Sequence, residues 1–447
     1  MSHFLISVVA MGVVLGFMIL IHEFGHYATA KWFKVRVEVF SIGFGTRLFG
    51  FRKGDTDYRI SAIPLGGYVK MSGENPMDDL TGDPGEFLSH PRWQRFVIAA
   101  AGPAMNILLA IGLLTGVYMI RYEHPVYLDK PAVIGWIMPD TSASKAGLLP
   151  GDRIVRIEDI DNPTWDQVIP KVALSPNQSL PVTVQRGDKQ FDTTVTPEPL
   201  GLEQYGSVGW VEEAPPVVTE LDPDMPAEKA GIRVGDIITA VGGKPIHAIA
   251  EMVTLLQKSK DQPVDVEVMR GGQAMKFTIK PELSPVEGLA EARYRVGIRS
   301  EPMAVSRLGL GAAVSKSLDV NKRSSLLILE LIEKMARRKI SVRQVEGPIG
   351  IGGAVGRAAS EKGWMPLLEI TSAISLNLGI FNLLPIPILD GGVILLLLVE
   401  SLMRRDISLR IKERIYQAAF VFLVLFAAMV IYNDLIKTLP GLAQRLP

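Results

Sequence analysis

From Met1 to Ile21 the chain carries no Asp, Glu, Lys or Arg, and the pattern His22-Glu23-x-x-His26 follows at once. An apolar stretch of this length can span a membrane as a helix, so the pattern is expected inside the bilayer or at its edge. Ionisable groups at that depth are costly and are retained mainly for function. The plainer alternative is a polar cluster that caps an ordinary membrane helix at the interface.

The spacing of these polar residues indicates a metal site. On a helix, residues four apart share a face, so His22 and His26 can offer two imidazoles to one Zn²⁺. Glu23 lies beside them and can act as the general base on a water molecule. The sequence has no Cys, so any zinc must be held by His and carboxylates. The pattern therefore predicts metalloprotease chemistry in a membrane helix.

The composition is typical of a membrane protein with a soluble insert. Hydrophobic residues make up 48% of the 447 residues, and Lys+Arg and Asp+Glu both number 47, so the charge balance gives no reason to expect a nucleic-acid partner. Four uncharged or nearly uncharged stretches predict membrane spans, at about 4–28, 97–120, 367–389 and 415–433. We expect an α-helical protein with four transmembrane helices in a lipid bilayer, with the HExxH pattern on the first.

The short loops predict the orientation. The loop at Lys31–Arg95 and the loop at Arg404–Arg414 are both rich in Lys and Arg. If all four segments span, both loops lie on one side, and the positive-inside rule makes that side cytoplasmic. We expect both termini and the central insert to face outward, with His22 and His26 toward the cytoplasm.

The segment Val35–Met71 alternates β-branched and aromatic residues with polar ones and is punctuated by glycines. This pattern predicts strands and hairpin turns in a small membrane-associated β-sheet. A protease needs its substrate in an extended conformation, and an exposed edge strand can bind it by β-addition. The alternative is a sheet that only packs on the helices.

The central insert contains an internal repeat. The stretch ASKAGLLPGDRIVRI at Ala143–Ile157 matches AEKAGIRVGDIITAV at Ala227–Val241, and Arg186-Gly187 matches Arg270-Gly271 at the same offset. Two tandem copies of one α+β domain follow. The pattern resembles the PDZ domain, which typically captures the C-terminal ends of proteins, or strands, by edge addition. The sequence leaves open whether the grooves bind peptide or whether the copies only gate or space the active site.

An amphipathic helix is expected at Ser315–Ala336, on the outer membrane surface or against the second repeat. Together with the spans and the repeats, it divides the chain into five predicted segments. The segments are a first membrane part at 1–125, PDZ-like domains at 126–213 and 214–302, the amphipathic helix and a connector at 303–365, and a second membrane part at 366–447.

The third apolar stretch reads NLGIFNLLPIPILDGG and includes Pro385, Pro387 and Asp390. Two prolines spaced by one residue cannot continue an α-helix, and the carbonyls freed at membrane depth are tolerated only where they line a cavity. A lone carboxylate at Asp390 would be costly there, whereas a carboxylate bound to zinc would be compensated. The alternative is a protonated Asp bonded to a neighbouring helix. Two His, one Asp and a water would complete a tetrahedral catalytic site.

HExxH in a first membrane helix, together with NxxPxPxLDG in a late one, resembles the motif pair of the site-2 protease family of intramembrane zinc proteases. The resemblance covers essentially the whole chain, and its motifs are specific. One departure is Val393, where many relatives carry His, but this position is outside the implied ligand set. The resemblance implies a Zn²⁺ held by His22, His26 and Asp390, with Glu23 as general base and a substrate-binding segment at Asn382, Pro385 and Pro387.

The resemblance also implies a function. It points to regulated intramembrane proteolysis in a bacterial inner membrane, as part of a stress response. The implied substrates are single-pass membrane proteins of the anti-sigma factor type that another protease has trimmed, with remnant signal peptides as a further class. One rival is a PDZ-bearing membrane scaffold with a vestigial metal site, which the intact Glu23 disfavours. A second rival is a divalent-metal transporter, disfavoured because the other His residues do not line the spans.

Overall fold

A computed structural model of the chain describes residues 3–74, 81–128, 130–200, 204–214, 216–284, 292–300, 303–337, 339, 346–361 and 363–438. The chain divides into two compact units, one made of residues 1–121, 307–330 and 345–447, and the other of residues 122–306 and 331–344. The segment limit expected at residue 302 and the expected end of the last segment at residue 447 lie outside the described residues.

The described helices are α1 (His3–Trp32), α2 (Arg92–Ile120), α3 (Ser142–Lys145), α4 (Trp165–Ala173), α5 (Pro226–Ala230), α6 (Ile249–Ser259), α7 (Leu310–Ala336), α8 (Pro348–Ser360), α9 (Met365–Asn382), α10 (Asp390–Met403) and α11 (Leu409–Thr438), with a 3₁₀ turn at Phe87–Ser89. The described strands are β1 (Val37–Lys53), β2 (Thr56–Met71), β3 (Tyr122–Pro125), β4 (Ile134–Ile137), β5 (Arg153–Ile157), β6 (Ile160–Asp161), β7 (Leu180–Arg186), β8 (Lys189–Val195), β9 (Glu198–Leu200), β10 (Tyr205–Ser207), β11 (Trp210–Glu212), β12 (Glu220–Leu221), β13 (Ile237–Val241), β14 (Lys244–Pro245), β15 (Val264–Arg270), β16 (Gln273–Ile279), β17 (Glu282–Ser284), β18 (Arg293–Arg295), β19 (Ile298–Arg299) and β20 (Met303–Ser306).

Three of the described helices, α1, α2 and α11, are long and apolar enough to cross a membrane. They coincide with three of the four spans expected from the sequence. The remaining expected span, 367–389, is not one continuous helix, because α9 ends at Asn382 and α10 begins at Asp390. Pro385 and Pro387 lie in the interruption, where their rings and missing N–H groups prevent a helix from continuing.

The helices of the membrane unit pack closely through small and hydroxyl residues. A Cβ on Gly25 of α1 would lie 2.4 Å from the carbonyl oxygen of Ala101 in α2, so only glycine permits this approach. On the other side of α2, Ser372 of α9 donates a hydrogen bond to the carbonyl oxygen of Ala110 at 2.8 Å. Contacts of this kind replace the hydrophobic driving force that is missing between helices in lipid. They hold α2 between α1 and α9.

Helix α7 begins earlier than the predicted amphipathic helix and contacts the membrane helices. Its Ser317 donates a hydrogen bond to the carbonyl oxygen of Ile111 in α2 at 2.8 Å. Its Ile328 packs against a buried cluster that includes Ala110 and Leu376. This part of the helix therefore contacts the membrane helices, while Leu318, Leu326 and Leu329 remain 49%, 57% and 49% exposed. The expected position on the outer membrane surface or against the second repeat stays a prediction.

Strands β1 and β2 form an antiparallel pair in the interval where the sequence predicts strands and a hairpin. The start of β1 pairs on both sides, since Phe40 is opposite Tyr58 and also opposite Val69. The end of β2, residues 67–71, is therefore an edge of this sheet. The sheet packs on α1, and its Val37 and Met71 are buried with Ala30 of that helix.

The two repeats fold alike, as the sequence predicts. Each has a four-stranded sheet of the same order, β6-β5-β7-β8 in the first and β14-β13-β15-β16 in the second. Each sheet buries its inward residues against one helix, α4 or α6, in a core of its own. Ile154 and Ile238 occupy matching core positions, with exposures of 0% and 1%.

Candidate metal centre

His22 and His26 lie one turn apart on the buried face of α1, with exposures of 7% and 8%. Their rings meet edge to face at a centroid distance of 4.9 Å, and their Nε2 atoms are 3.2 Å apart. The i, i+4 spacing in the sequence is what places both nitrogens at one point.

Asp390 joins the two imidazoles from the other end of the chain. One of its carboxylate oxygens, Oδ2, lies 3.1 Å from Nε2 of His22, and the other, Oδ1, lies 3.4 Å from Nε2 of His26. His22, His26 and Asp390 are the group among the described residues that could hold a metal ion.

The turn between α9 and α10 delivers Asp390 to this position. After the two prolines, α10 starts at Asp390, and a Cβ on Gly391 would lie 2.2 Å from the carbonyl oxygen of Leu384. A Cβ on Gly392 would lie 2.3 Å from the carbonyl oxygen of Ile386. The two glycines therefore let the first turn of α10 pack directly on the broken segment.

The three side chains fit a tetrahedral zinc ion. Zinc bonds of about 2.0–2.1 Å at tetrahedral angles place neighbouring ligand atoms about 3.3–3.4 Å apart. The two Nε2 atoms are 3.2 Å apart, and each lies 3.1 or 3.4 Å from a different oxygen of Asp390, so all three side chains can reach one ion. One donor atom from each residue lies within 4.8 Å of the other two. Two imidazoles and one carboxylate also leave a fourth position open, as catalytic zinc sites require.

The ring of His26 is held in the tautomer that a metal ligand needs. Its Nδ1 donates a hydrogen bond to the carbonyl oxygen of Ile98 in α2 at 2.8 Å. Because that nitrogen carries the proton, Nε2 keeps its lone pair and points to Asp390.

Gly102 of α2 makes room for both rings. A Cβ at this position would lie 2.3 Å from Nε2 of His26 and 2.8 Å from Nε2 of His22. Any larger residue would occupy the space where the donor atoms converge. The sequence did not single out Gly102, because one glycine in an apolar helix has no distinguishing pattern without its neighbours in space.

Glu23 adjoins the cluster and is held by the β-sheet. The backbone N–H of Val69, on the edge of β2, donates to Oε2 of Glu23 at 3.1 Å. Glu23 lines a cavity of about 550 Å³ together with the three candidate ligands. The edge of the sheet contributes Gly67, Tyr68, Val69 and Met71 to the same cavity.

Five of the seven predicted site residues share this cavity, and two do not. Pro385 and Pro387 are absent from its lining among the described residues, and they shape the broken segment instead. The sequence analysis did not single out one ion pair in the lining of this cavity, in which Nζ of Lys412 lies 2.7 Å from Oε1 of the buried Glu400. The residues brought together are His22, Glu23, His26, Asn382 and Asp390.

This arrangement defines a class. Two His and a Glu on a candidate membrane helix, with an Asp after a helix break, match the donor set and base that a membrane-embedded metalloprotease requires. The sequence profile of peptidase family M50 matches residues 10–426. The chain belongs to peptidase family M50.

Full-length relatives agree with this family. The regulator of sigma-E protease RseP of Salmonella typhimurium strain 14028s is 33% identical, over 94% of this chain and 96% of its own length. RseP of Escherichia coli K12 is 31% identical, over 97% of this chain and 99% of its own length. A protein of Vibrio cholerae that is named as a candidate zinc metalloprotease is 30% identical, over 97% of this chain and 99% of its own length.

Among solved structures, the PDZ domain of an SdrC-like protein from Listeria innocua is 14% identical to this chain, with a TM-score of 0.18. The match covers 19% of this chain and 96% of the Listeria chain.

The family and the relatives make this chain a zinc metalloprotease of the site-2 type. With the candidate membrane helices, they indicate a protein of the bacterial inner membrane. These findings confirm the enzyme class and the zinc dependence expected from the sequence.

Proposed function

We propose that His22, His26 and Asp390 hold the zinc ion and that Glu23 is the general base for hydrolysis of a peptide bond within a membrane segment. The observation that carries this proposal is the convergence of His22, His26 and Asp390, which bring one donor atom each to within 4.8 Å of one another. Without a cation, the same convergence of lone pairs on a carboxylate would be unfavourable in apolar surroundings.

The zinc ion and the side chain of Glu23 have different roles in the proposed hydrolysis. A bound zinc ion would supply Lewis-acid chemistry, lowering the pKa of water and polarising the scissile carbonyl. Glu23 takes the proton of the attacking water on a carboxylate oxygen and passes it to the leaving amine. The N–H of Val69 holds Oε2 of Glu23 at 3.1 Å, which fixes the base beside the cavity.

The substrate segment is proposed to bind along the edge of β2. Residues 67–71 form this edge and line the cavity, so a strand added there would run past Glu23. Asn382, at the end of α9, lines the same cavity and can hydrogen-bond an unwound backbone. The alternative, in which the sheet only packs on the helices, is favoured if substitutions along this edge leave cleavage unchanged.

We propose a topology of four spans, with α9 and α10 together forming the third. In support, Arg92 at the start of α2 pairs at 2.8 Å with Asp406, which lies between α10 and α11. The two basic loops therefore meet on one side, and the positive-inside rule makes that side cytoplasmic. The sequence has no Cys, so single Cys substitutions of Lys53 and Lys145 should be labelled from opposite sides of the membrane.

The proposed substrates are trimmed single-pass membrane proteins of the anti-sigma factor type, together with remnant signal peptides. The relatives named as regulators of a sigma-E response support this class. A protease inside the membrane must avoid intact membrane proteins, and two folded repeats can exclude substrates with large outer portions. Peptide capture in the PDZ-like grooves is the competing use of the repeats.

Replacing Ala132–Ser300 with a short flexible linker separates these two uses of the repeats. If they act as a filter, untrimmed substrate becomes cleavable and trimmed substrate remains so. If they recruit substrate, trimmed substrate is cleaved more slowly and untrimmed substrate stays resistant. Both substrate forms are compared in one membrane preparation.

Zinc analysis tests the centre itself. His22→Ala and Asp390→Asn should lose zinc on dialysis against a mild chelator and should lose cleavage of a membrane substrate. Full zinc occupancy in Asp390→Asn would mean that another residue is the third ligand. A wild-type protein that bound no zinc and cleaved nothing would favour a scaffold function.

A further inference from the structure

We infer that Asn106 sets the tautomer of His22 and thereby prepares its Nε2 atom for zinc. This inference rests on the proposed centre. Asn106 lies in α2, one turn after Gly102, and its exposure is 0%. Its side-chain amide lies against the far side of the His22 ring, where Nδ2 of Asn106 is 3.2 Å from Nδ1 of His22.

Both imidazole rings must be in the same tautomer to bind zinc. For each, Nε2 faces the converging donors, so Nδ1 must carry the proton if Nε2 is to bind a metal. The ring of His26 meets this need with a backbone acceptor, the carbonyl oxygen of Ile98 at 2.8 Å. The amide of Asn106 occupies the corresponding place behind His22.

An amide can face His22 with either end. With Nδ2 toward the ring, Nδ1 of His22 must accept, so the proton lies on Nε2, where it can only be donated toward the other ligands. With Oδ1 toward the ring, Nδ1 donates and Nε2 is free to bind zinc. In the first orientation, Oδ1 of Asn106 is buried and has no hydrogen-bond partner in the described part of the chain. Turning the amide over pairs Oδ1 with the Nδ1–H of His22 and moves Nδ2 to the place that Oδ1 occupied.

The position of Asn106 is fixed independently of the ring. Ser375 of α9 donates a hydrogen bond to the backbone carbonyl oxygen of Asn106 at 2.9 Å. Gly379, one turn further along α9, would place a Cβ 3.4 Å from the Cβ of Asn106. The amide therefore acts on His22 from a rigid support, which is what a positioning residue requires.

Asn106 offers a graded set of variants. Asn106→Ala removes the acceptor, whereas Asn106→Asp keeps an acceptor of the same shape. Ser375→Ala is the matched control, because it loosens the same contact between α2 and α9 without touching the ring. Zinc affinity is measured on the purified full-length protein in detergent, by competition with a chromophoric chelator, and ¹⁵N-histidine NMR reports which nitrogen of His22 carries the proton.

We expect Asn106→Ala to bind zinc about 10–100-fold more weakly. Asn106→Asp should stay within about threefold of the wild type, as should Ser375→Ala, since both preserve the acceptor. In the NMR spectrum of the zinc-free protein, the Nδ1–H signal of His22 should be lost in Asn106→Ala and retained in the other two.

Two results would overturn the inference, namely wild-type affinity in Asn106→Ala or an equal loss in Ser375→Ala. His22→Ala is the reference that separates this inference from the proposed centre. If His22→Ala also binds zinc normally, the centre itself is wrong. If His22→Ala alone loses zinc, only the role of Asn106 is wrong.

Discussion

The side chain of Asp236 in the second repeat is 1% exposed and that of Asp390 in the membrane unit is 22% exposed, and the partners of the two carboxylates differ in kind. Asp236 receives two hydrogen bonds from Arg270, both at 2.7 Å, and one from the backbone N–H of Arg233 at 2.9 Å. The first repeat holds Asp152 with Arg186 in the same way, at 2.7 and 2.8 Å.

Within the described part of the chain, no Arg or Lys forms an ion pair with Asp390. Its oxygens face the Nε2 atoms of His22 and His26, which must be unprotonated to bind a metal. A carboxylate whose partners complete its charge and hydrogen bonds serves the fold, whereas one that faces other lone-pair donors is arranged for a cation. Four predictions test this contrast.

The largest effect is expected for Glu23→Gln. Glutamine has nearly the same shape as glutamate but could not take a proton, so cleavage should fall by about 10²–10⁴-fold. Zinc content and thermal unfolding should remain unchanged, because Glu23 is outside the proposed ligand set. Rates come from a purified protein and a model transmembrane substrate. Cleavage close to the wild-type rate would remove Glu23 from the mechanism.

In the repeats, Arg270→Met should act on stability and leave the zinc untouched. The Arg270 side chain is 24% exposed, but removing it leaves the buried carboxylate of Asp236 without its charged partner, so the unfolding temperature should fall. Lys276→Met is the matched control, because Lys276 is 58% exposed in its pair with Asp265, and solvent screening leaves such pairs with little effect on stability. Calorimetry of the full-length protein compares the two. An equal shift for both would show that the Asp236 pair is no stronger than a surface one.

The sequence singled out the residues of the candidate centre, which the structure brings together, because their pattern is local. The i, i+4 spacing of His22 and His26, the two prolines and the Asp-Gly-Gly turn each have local structural consequences that can be worked out without a fold. The shared fold of the two repeats could also be predicted, because their sequences match at a constant offset.

What the sequence could not supply are contacts between distant segments. Asn106 and His22 are brought together by the packing of α1 on α2, and Val69 and Glu23 by the packing of β2 on α1. The contacts of Ser317 and Ile328 in α7 with the membrane helices could not be predicted for the same reason.

A third prediction concerns acid. The hydrogen bonds from Arg270, with a smaller contribution from Arg233, hold the pKa of Asp236 below its usual value, against the opposing effect of burial. Because the folded pKa is the lower one, the stabilisation is complete above the ordinary Asp pKa of about 3.9 and is lost as pH falls through the lowered value.

The test compares wild type with Asp236→Asn at decreasing pH. The variant should be less stable near neutral pH, and the difference in unfolding free energy should shrink below about pH 4. Subtracting the two curves cancels other acid-sensitive groups, such as Asp265 with its own lowered pKa. A difference that stays constant down to low pH would mean that Asp236 does not titrate on unfolding.

The smallest effect is expected at Val393, one turn after Asp390 in α10. Val393 lines the cavity but offers no donor atom, so Val393→Ala should leave zinc occupancy unchanged and cost about 1 kcal/mol of stability at most. Asp390→Asn, with nearly the same volume as the native side chain, should lose zinc in the same chelator dialysis. If Val393→Ala lost as much zinc as Asp390→Asn, the ion would be retained by the shape of the cavity more than by its donors. The contrast drawn between Asp390 and Asp236 would then fail, because donor chemistry would no longer explain which carboxylate binds metal.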